Sequence, residues 1–172
     1  MVGSYLLETA DQGDQVLDYR LRTYADRDAI RLNELAVAAF EQFRTEYSDW
    51  PAMQAGLRRM SALAEIGEII VAERTDRIIG AVAYIPPGRP KAPFFDQSWP
   101  IIRMLIVDPG ARGGGVGRAL TEECIERARR DGSHVIALHT SAIMAVALPM
   151  YLRMGISWER HLLCMVSNTR CT

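Results

Sequence analysis

The periodicity of hydrophobic and polar positions predicts a strand followed by two helices at the start of the chain. Residues 17–23 alternate apolar and polar side chains, as in a half-buried strand. Apolar positions then recur at helical spacing to about Arg44. The candidate N-caps of this helix are Asp26 and Asp28. Pro51 suits the first turn of a second helix, which we expect to reach about Glu65.

The centre of the chain has the pattern of a hairpin and a third strand, with a loop between them. Two runs rich in β-branched residues, Glu68–Glu73 and Ile78–Tyr84, flank a polar turn at residues 74–77. The prolines and the glycine of residues 86–93 cannot continue a sheet and predict an irregular loop. The strongly apolar segment Ile101–Val107 then predicts a buried strand.

The second half of the chain alternates helix and strand patterns. The predicted elements are a helix over residues 115–131, a strand over 134–139, a short helix over 145–154 and strand segments within 156–167. No repeat or linker divides the sequence. We therefore expect one domain over residues 1–172, with its core at about 17–167 and a flexible start at 1–15.

Composition and charge narrow the class of protein. Lysine and arginine number 20 against 21 acidic residues, so the net charge is −1 and argues against a general nucleic-acid or anionic-membrane surface. The three cysteines are odd in number and lack CxxC spacing, which argues against a disulfide framework and a zinc site. The longest apolar run, residues 142–150, is too short to span a bilayer. No signal peptide is visible, and we expect a cytoplasmic protein without a metal.

A glycine-rich turn carries the clearest chemical signal. Four glycines fall within five positions after the strand that ends at Val107, just where a helix begins. Such a helix start is costly, but it lets a ligand approach the free N–H groups of the first turn, which bind anions. Arg118 adds a positive charge. The turn therefore predicts a cradle for the pyrophosphate of a nucleotide-like cofactor.

The sequence does not match two common nucleotide-binding motifs, because required residues are missing from each. A Walker loop needs a lysine after its last glycine, but Val116 follows Gly115. A dinucleotide fingerprint needs a third glycine where Arg118 stands, and an acidic residue where the next strand ends at Thr140.

The pattern that does fit is Arg/Gln-x-x-Gly-x-Gly/Ala after a strand that ends Leu-x-Val. Residues 105–107 read Leu-Ile-Val and residues 112–117 read Arg-Gly-Gly-Gly-Val-Gly. A later Ala-x-x-x-Tyr motif closed by glycine is matched by Ala147, Tyr151 and Gly155. In these two motifs and in the order of its elements, the chain resembles the GNAT N-acetyltransferase superfamily over about residues 17–167.

The resemblance implies a fold and a co-substrate. The fold would be a three-layer α/β structure, with a mixed, mostly antiparallel sheet, splayed parallel strands and helices on both faces. Acetyl-CoA would lie between the splayed strands, with its pantetheine arm along Leu105, Ile106 and Val107. The pyrophosphate would lie on the turn and helix start, at Arg112, Gly113, Gly114, Gly115, Val116, Gly117 and Arg118. An amine acceptor would attack the acetyl carbonyl directly.

The resemblance also implies proton-transfer roles. Tyr151 would be the general acid for the departing thiolate, although a core tyrosine is the alternative. The general base is not assigned. His139 is the candidate, although it could instead be a structural histidine, and Glu73 or water is the fallback. Two positions depart from the family pattern. Met144 replaces a frequent asparagine, and the strand segment before Leu105 carries Arg103 in place of a carboxylate.

The acceptor is not identified by the sequence. Aromatic residues in about 40–60 and 86–100 would wall an acceptor pocket or pack in the core or a homodimer interface; they are Tyr47, Trp50, Phe94, Phe95 and Trp99. Nearby carboxylates would attract a cationic amine or are simply solvated; they are Glu41, Glu46, Asp49 and Asp96. Besides N-acetylation, transfer of a longer acyl group, O-acylation and a non-catalytic CoA-binding role stay open.

Overall fold

A computed structural model describes residues 18–140, 144–159 and 162–166. The strands are β1 Arg20–Thr23, β2 Glu68–Arg74, β3 Arg77–Ile85, β4 Ile101–Val107, β5 Val135–Leu138, β6 Ser157–Glu159 and β7 Leu162–Val166. They form a seven-stranded sheet in the order β1-β2-β3-β4-β5-β7-β6. The helices are α1 Ala29–Phe40, α2 Trp50–Leu57, α3 Val116–Arg130 and α4 Ala147–Arg153.

The sheet is covered by helices on both faces. One apolar cluster joins α1 and α2 to one face and includes Leu35, Leu57 and Val71. A second joins α3 and α4 to the opposite face and includes Leu120 and Tyr151. In this sheet only β4 and β5 pair in parallel, so the predicted three-layer, mostly antiparallel fold is confirmed.

The predicted hairpin is formed by β2 and β3, and a tight turn joins the two strands. Thr75 and Asp76 both have positive φ, 48° and 59°, as a tight turn compatible with strand twist requires. The strands, buried on both faces, read as nearly continuous apolar runs.

The two N-terminal helices are shorter than predicted. Beyond Phe40 the chain tightens into a 3₁₀ turn at Glu41–Glu46. The second predicted helix divides into α2 and a 3₁₀ turn at Met60–Glu65. A contact with α1 fixes this second turn: the Ser61 N–H donates to Asn33 Oδ1 (2.9 Å), and Asn33 Nδ2 donates to Ser61 Oγ (3.0 Å).

The remaining differences concern helix caps and chain ends. Neither Asp26 nor Asp28 caps α1, because Asp28 instead accepts the N–H of Ala25 (2.9 Å) and pairs with Arg22 (2.7 Å). The expectations for residues 1–15, 17, 160, 161 and 167 lie outside the described residues.

A partly buried ion-pair network holds β1 to β2 and to the start of α1. Arg22 contacts both Asp28 (2.7 Å) and Glu73 (2.7 Å), and Arg20 contacts Glu73 (2.6 Å). These arginines lower the pKa of Glu73 from 4.5 to about 2. Glu73 is thus a structural carboxylate on β2, which argues against its fallback role as a base.

We expect the stabilising effect of Glu73 to depend on pH. Because its native pKa is lowered, its contribution is complete above about pH 4.5 and is lost as the pH falls toward about 2. Glu73→Gln should therefore lower the melting temperature most above pH 5, and the gap from the unmodified protein should close toward pH 2. Asp18→Asn is the matched control, since Asp18 belongs to an exposed pair with Arg74. A gap independent of pH would contradict this account.

Candidate active site

The centre of the sheet opens because β4 and β5 separate. Their parallel pairing covers only Ile101 with Ala137 and Ile102 with Leu138. Beyond that point β4 stays paired with β3 on its other edge. The N–H of Asp108 donates to the Ile79 carbonyl of β3 (2.8 Å). Since N–H and C=O groups alternate in direction along a strand, those of Val107 are directed to the side that β5 has left.

A bulge in β4 marks the point of separation. Val82 on β3 lies opposite two residues of β4, Met104 and Leu105. Met104 has φ of 54°, a backbone conformation that is strained for a residue with a long side chain. Such outliers concentrate at functional sites. Met104 lines one cavity, and the adjacent Leu105 lines both that cavity and a second one.

The turn after β4 presents free backbone N–H groups at the start of α3. The first helical N–H with a carbonyl partner is that of Ala119, which donates to Gly115 (3.0 Å). The N–H groups of Val116, Gly117 and Arg118 precede it, and no side chain caps this helix start. The first turn contains no acidic residue. The helix start can therefore bind an anion.

Two arginines tie this turn to α1. The Arg112 guanidinium donates to the Ala39 carbonyl (3.0 Å) and to Gln42 Oε1 (3.0 Å) at the end of α1. Arg31, near its start, pairs with Asp108 (3.0 Å). The structure thus gives the Arg112 side chain protein partners, a positioning role that sequence spacing could not distinguish from phosphate contact.

A cavity of about 380 Å³ lies between this turn, β4 and α4. Its lining includes most of the predicted cofactor-binding positions: Leu105, Ile106, Val107, Arg112, Gly113, Gly115, Val116, Gly117 and Arg118. Gly114 is in the turn outside this lining. Arg118 is exposed and donates to Glu122 Oε1 (2.7 Å).

A second cavity of about 760 Å³ lies on the other side of the bulge. Both proposed catalytic residues, Tyr151 and His139, line it. The two cavities share four lining residues: Phe40, Leu105, Met144 and Ala147. A ligand in the smaller cavity therefore lies next to a ligand in the larger one, with the bulge between them.

Tyr151 is suited to hold a proton. Its residue is 4% exposed, and burial raises the pKa of its phenol, with the nearby Cys124 adding to the effect. The group therefore stays protonated at neutral pH and can act as a donor. His139 is exposed at the end of β5, with its ring 5.2 Å from that of Phe94. The structure brings these two residues to one cavity.

The predicted acceptor-region residues divide between cavity and core. Tyr47, Phe94 and Phe95 line the larger cavity, whereas Trp50 and Trp99 pack against the α1 side of the core. The predicted carboxylates are exposed and outside the lining: Glu41, Glu46, Asp49 and Asp96. They are therefore poor candidates for attracting a cationic amine into the cavity.

Sequence reasoning missed several lining residues, among them three with a charged or aromatic side chain. Arg153 on α4 and Phe43 after α1 line the smaller cavity, and Lys91 from the loop before β4 lines the larger one. The sequence signal for Arg153 was a basic residue two positions after Tyr151. The sequence does not show which cavity that turn of the helix faces. Arg153 is exposed and adds a third guanidinium to the smaller cavity.

The described residues contain neither a metal-binding cluster nor a membrane-spanning helix. Within residues 18–140, 144–159 and 162–166, no group of three or more His, Cys, Asp and Glu side chains is arranged to hold a metal ion. No helix in that same part of the chain has the length and apolar character needed to cross a membrane.

Comparison with known proteins adds a family and a set of relatives. The model of the acetyltransferase (GNAT) family matches residues 29–156. A mycothiol acetyltransferase of Geodermatophilus obscurus is 28% identical over 159 residues, which is 87% of this chain and 48% of that relative. An IAA acetyltransferase of Azospirillum brasilense is 26% identical over 130 residues, or 73% of this chain and 79% of the relative. The chain thus spans about half the length of the mycothiol acetyltransferases that it matches.

Solved structures share the fold. A GNAT family acetyltransferase from Brucella melitensis in complex with acetyl-CoA superposes with a TM-score of 0.64 at 21% identity, over 90% of this chain and 91% of that one. The PaiA N-acetyltransferase from Thermoplasma acidophilum in complex with coenzyme A gives 0.67 at 12% identity, over 86% and 98%.

We expect the two glycines at the start of α3 to respond differently to alanine. Gly115 has φ of 77°, where an added Cβ is unfavourable by about 1–2 kcal/mol even though the nearest atom, the Tyr19 hydroxyl, would be 3.8 Å away. Gly115→Ala should lower the free energy of unfolding by that amount and weaken coenzyme A binding, because the turn must rearrange. Calorimetric titration and thermal denaturation measure both effects.

Gly117→Ala is the matched control. A Cβ there meets Met150 Sδ and Val107 Cγ2 at 3.6 Å, an ordinary contact, and φ is not positive. We expect affinity for coenzyme A to be kept and stability to rise by up to about 1 kcal/mol from helix propensity. Equal losses of affinity in the two variants would show that the left-handed conformation of Gly115 is unimportant for binding.

Proposed function

Because the chain belongs to the acetyltransferase (GNAT) family, we propose that it is an acetyl-CoA-dependent N-acetyltransferase acting on a primary amine of a small molecule. The observation that carries the proposal is the meeting of two cavities at the β4 bulge. One lies beside an anion-binding helix start, and the other contains a buried tyrosine. A volume of about 760 Å³ is of the size that binds small molecules.

Donor binding follows from groups on the smaller cavity. The free N–H groups of Val116, Gly117 and Arg118 would hold the pyrophosphate, supported by the Arg153 guanidinium at the cavity wall. The unpaired backbone groups of Val107 would take the pantetheine arm as an added strand. This alignment directs the thioester toward the bulge, where a backbone N–H on the free edge of β4 would polarise its carbonyl.

The reaction is a direct transfer between two bound substrates. The neutral amine attacks the acetyl carbonyl, an N–C bond forms and the C–S bond breaks. Tyr151 gives its phenolic proton to the departing thiolate, and the proton released by the amine returns to the phenolate through solvent. A phenol of raised pKa is not ionised beforehand, and so it is available as the donor in each turnover.

The names of relatives support acetyl transfer and disagree about the acceptor. They are a mycothiol acetyltransferase and an IAA acetyltransferase, and the chain covers only about half of the former. A non-catalytic CoA-binding role and the transfer of a longer acyl group are the competing functions. Turnover with acetyl-CoA as the donor would favour the proposed acetyl transfer over both.

We expect Tyr151→Phe to lower kcat by about 10²-fold or more, the usual contribution of a general acid. Affinity for acetyl-CoA should stay within about threefold, because the tyrosine lines the other cavity. Release of free thiol from acetyl-CoA in the presence of a panel of amines measures turnover, and calorimetry measures donor binding.

Tyr84→Phe controls for the loss of a buried tyrosine hydroxyl. Tyr84 donates to Asp131 (2.6 Å) on the α3 face of the sheet and lines neither cavity. Its variant should lose stability and keep kcat. A Tyr151→Phe variant with full kcat would remove the assigned acid, and failure of acetyl-CoA to bind would overturn the proposed function.

A further inference from the structure

The larger cavity has basic and apolar walls. Three of its lining residues carry basic side chains, Lys91, Arg103 and His139. Among the described residues that line it, none is an aspartate or glutamate. The chain as a whole is nearly neutral, with a net charge of −1, so this excess is local. A cavity of this charge favours an anionic ligand.

Arg103 is the basic group nearest to the reaction point along the chain, since it precedes the bulge residue Met104. It follows Ile101 by two positions and is therefore on the same face of β4. Arg103 is exposed, and within the described part of the chain its guanidinium has neither a hydrogen-bond partner nor an ion-pair partner. Its five N–H donors are thus available to a ligand, and their planar arrangement matches a carboxylate.

Lys91 provides a second cationic group. Its Nζ donates to the carbonyls of Pro86 (3.3 Å) and Gln97 (3.1 Å), which leaves one N–H of the ammonium. Burial lowers the pKa of Lys91, and a bound anion would offset that loss of solvation. The nearby Asp96 does not serve this purpose, because its carboxylate accepts the N–H (2.8 Å) and the hydroxyl (2.6 Å) of Ser98.

The remaining walls are apolar and aromatic. Phe94 and Phe95 have ring centroids 4.7 Å apart, and Phe94 is 58% exposed. Tyr47 and Met53 line the cavity on the α1 and α2 side. A large exposed aromatic side chain beside a cavity is suited to packing against a ligand ring.

We propose that the acceptor is a carboxylate-bearing amine with an apolar or aromatic side chain, of the chemical class of a free aromatic amino acid. Its carboxylate binds Arg103 and Lys91, its side chain packs on Phe94 and Phe95, and its amine lies beside the bulge. The inference rests on the proposed function and names the substrate class of the same site.

This assignment also bears on the unassigned base. A carboxylate raises the pKa of a neighbouring ammonium, because it stabilises the charged form. Binding of the acceptor's carboxylate by Arg103 and Lys91 offsets that effect, so the bound amine loses its proton more readily.

The test compares acids with their uncharged amides. L-phenylalanine and L-tryptophan are paired with L-phenylalaninamide and L-tryptophanamide, at saturating acetyl-CoA, with thiol release as the readout. We expect kcat/KM to be about tenfold or more higher for each acid than for its amide. Arg103→Gln should remove that preference mainly through KM and leave the amides within about threefold. Arg103→Lys, which keeps the charge, should restore part of it.

Arg89→Gln is the matched control, since Arg89 is an exposed arginine of the loop before β4 and lies outside the lining. It should leave both classes of acceptor unchanged. Calorimetric titration of L-phenylalanine and its amide into protein saturated with coenzyme A provides a readout independent of turnover.

The outcomes separate the inference from the proposed function. If amides or amines without a carboxylate are turned over as well as the acids, or better, the inference is wrong and the function stands. If no compound releases thiol but the acid binds tighter than the amide in a manner dependent on Arg103, the inference stands and the function falls. If the acid neither reacts nor binds with any dependence on Arg103, the inference is wrong.

Discussion

The unpaired edge of β4 is the constraint on which the rest of the site depends. β5 pairs with the first two residues of β4 only, and the next five residues of β4 have β3 on one side and no strand on the other. Buried backbone N–H and C=O groups need partners, so an edge in the middle of a sheet requires water or a ligand. The start of α3 follows β4 and packs on the neighbouring β3, where Gly80 leaves room for it: a Cβ there would be 2.7 Å from Val116 Cγ1.

The two cavities show how a nearly neutral chain creates a positively charged site. The smaller one contains three arginines and a helix start, and the larger one contains Arg103 and Lys91. Carboxylates are held elsewhere, as in the Glu73 and Asp28 network at the β1 edge. Both proposed substrates are anionic, and a site that must hold both gains from keeping carboxylates out of its walls.

Sequence reasoning was most successful where structure is local. The β2–β3 hairpin and α3 are determined by turn residues, strand composition and helical spacing within a few positions, and their bounds were predicted within one or two residues. It failed where the local structure depends on a residue that is distant in the sequence. Asn33 on α1 accepts the N–H of Ser61 and holds the 3₁₀ turn that follows α2. The Arg112 guanidinium donates to the Ala39 carbonyl near the end of α1. The cavity that each residue lines depends on such packing, so Tyr151 could be named but its surroundings could not.

Burial assigns different tasks to the two polar residues near the reaction point. Tyr151 is enclosed by apolar groups, which favour its neutral form, so it is suited to give a proton and unsuited to take one. His139 is exposed and packs on Phe94, which places it at the cavity wall with access to solvent. In the proposed reaction, binding of the acceptor's carboxylate by Arg103 and Lys91 reduces the need for a strong base, and the released proton needs only a route. The exposed imidazole of His139 would provide that route in the proposed acetyl transfer.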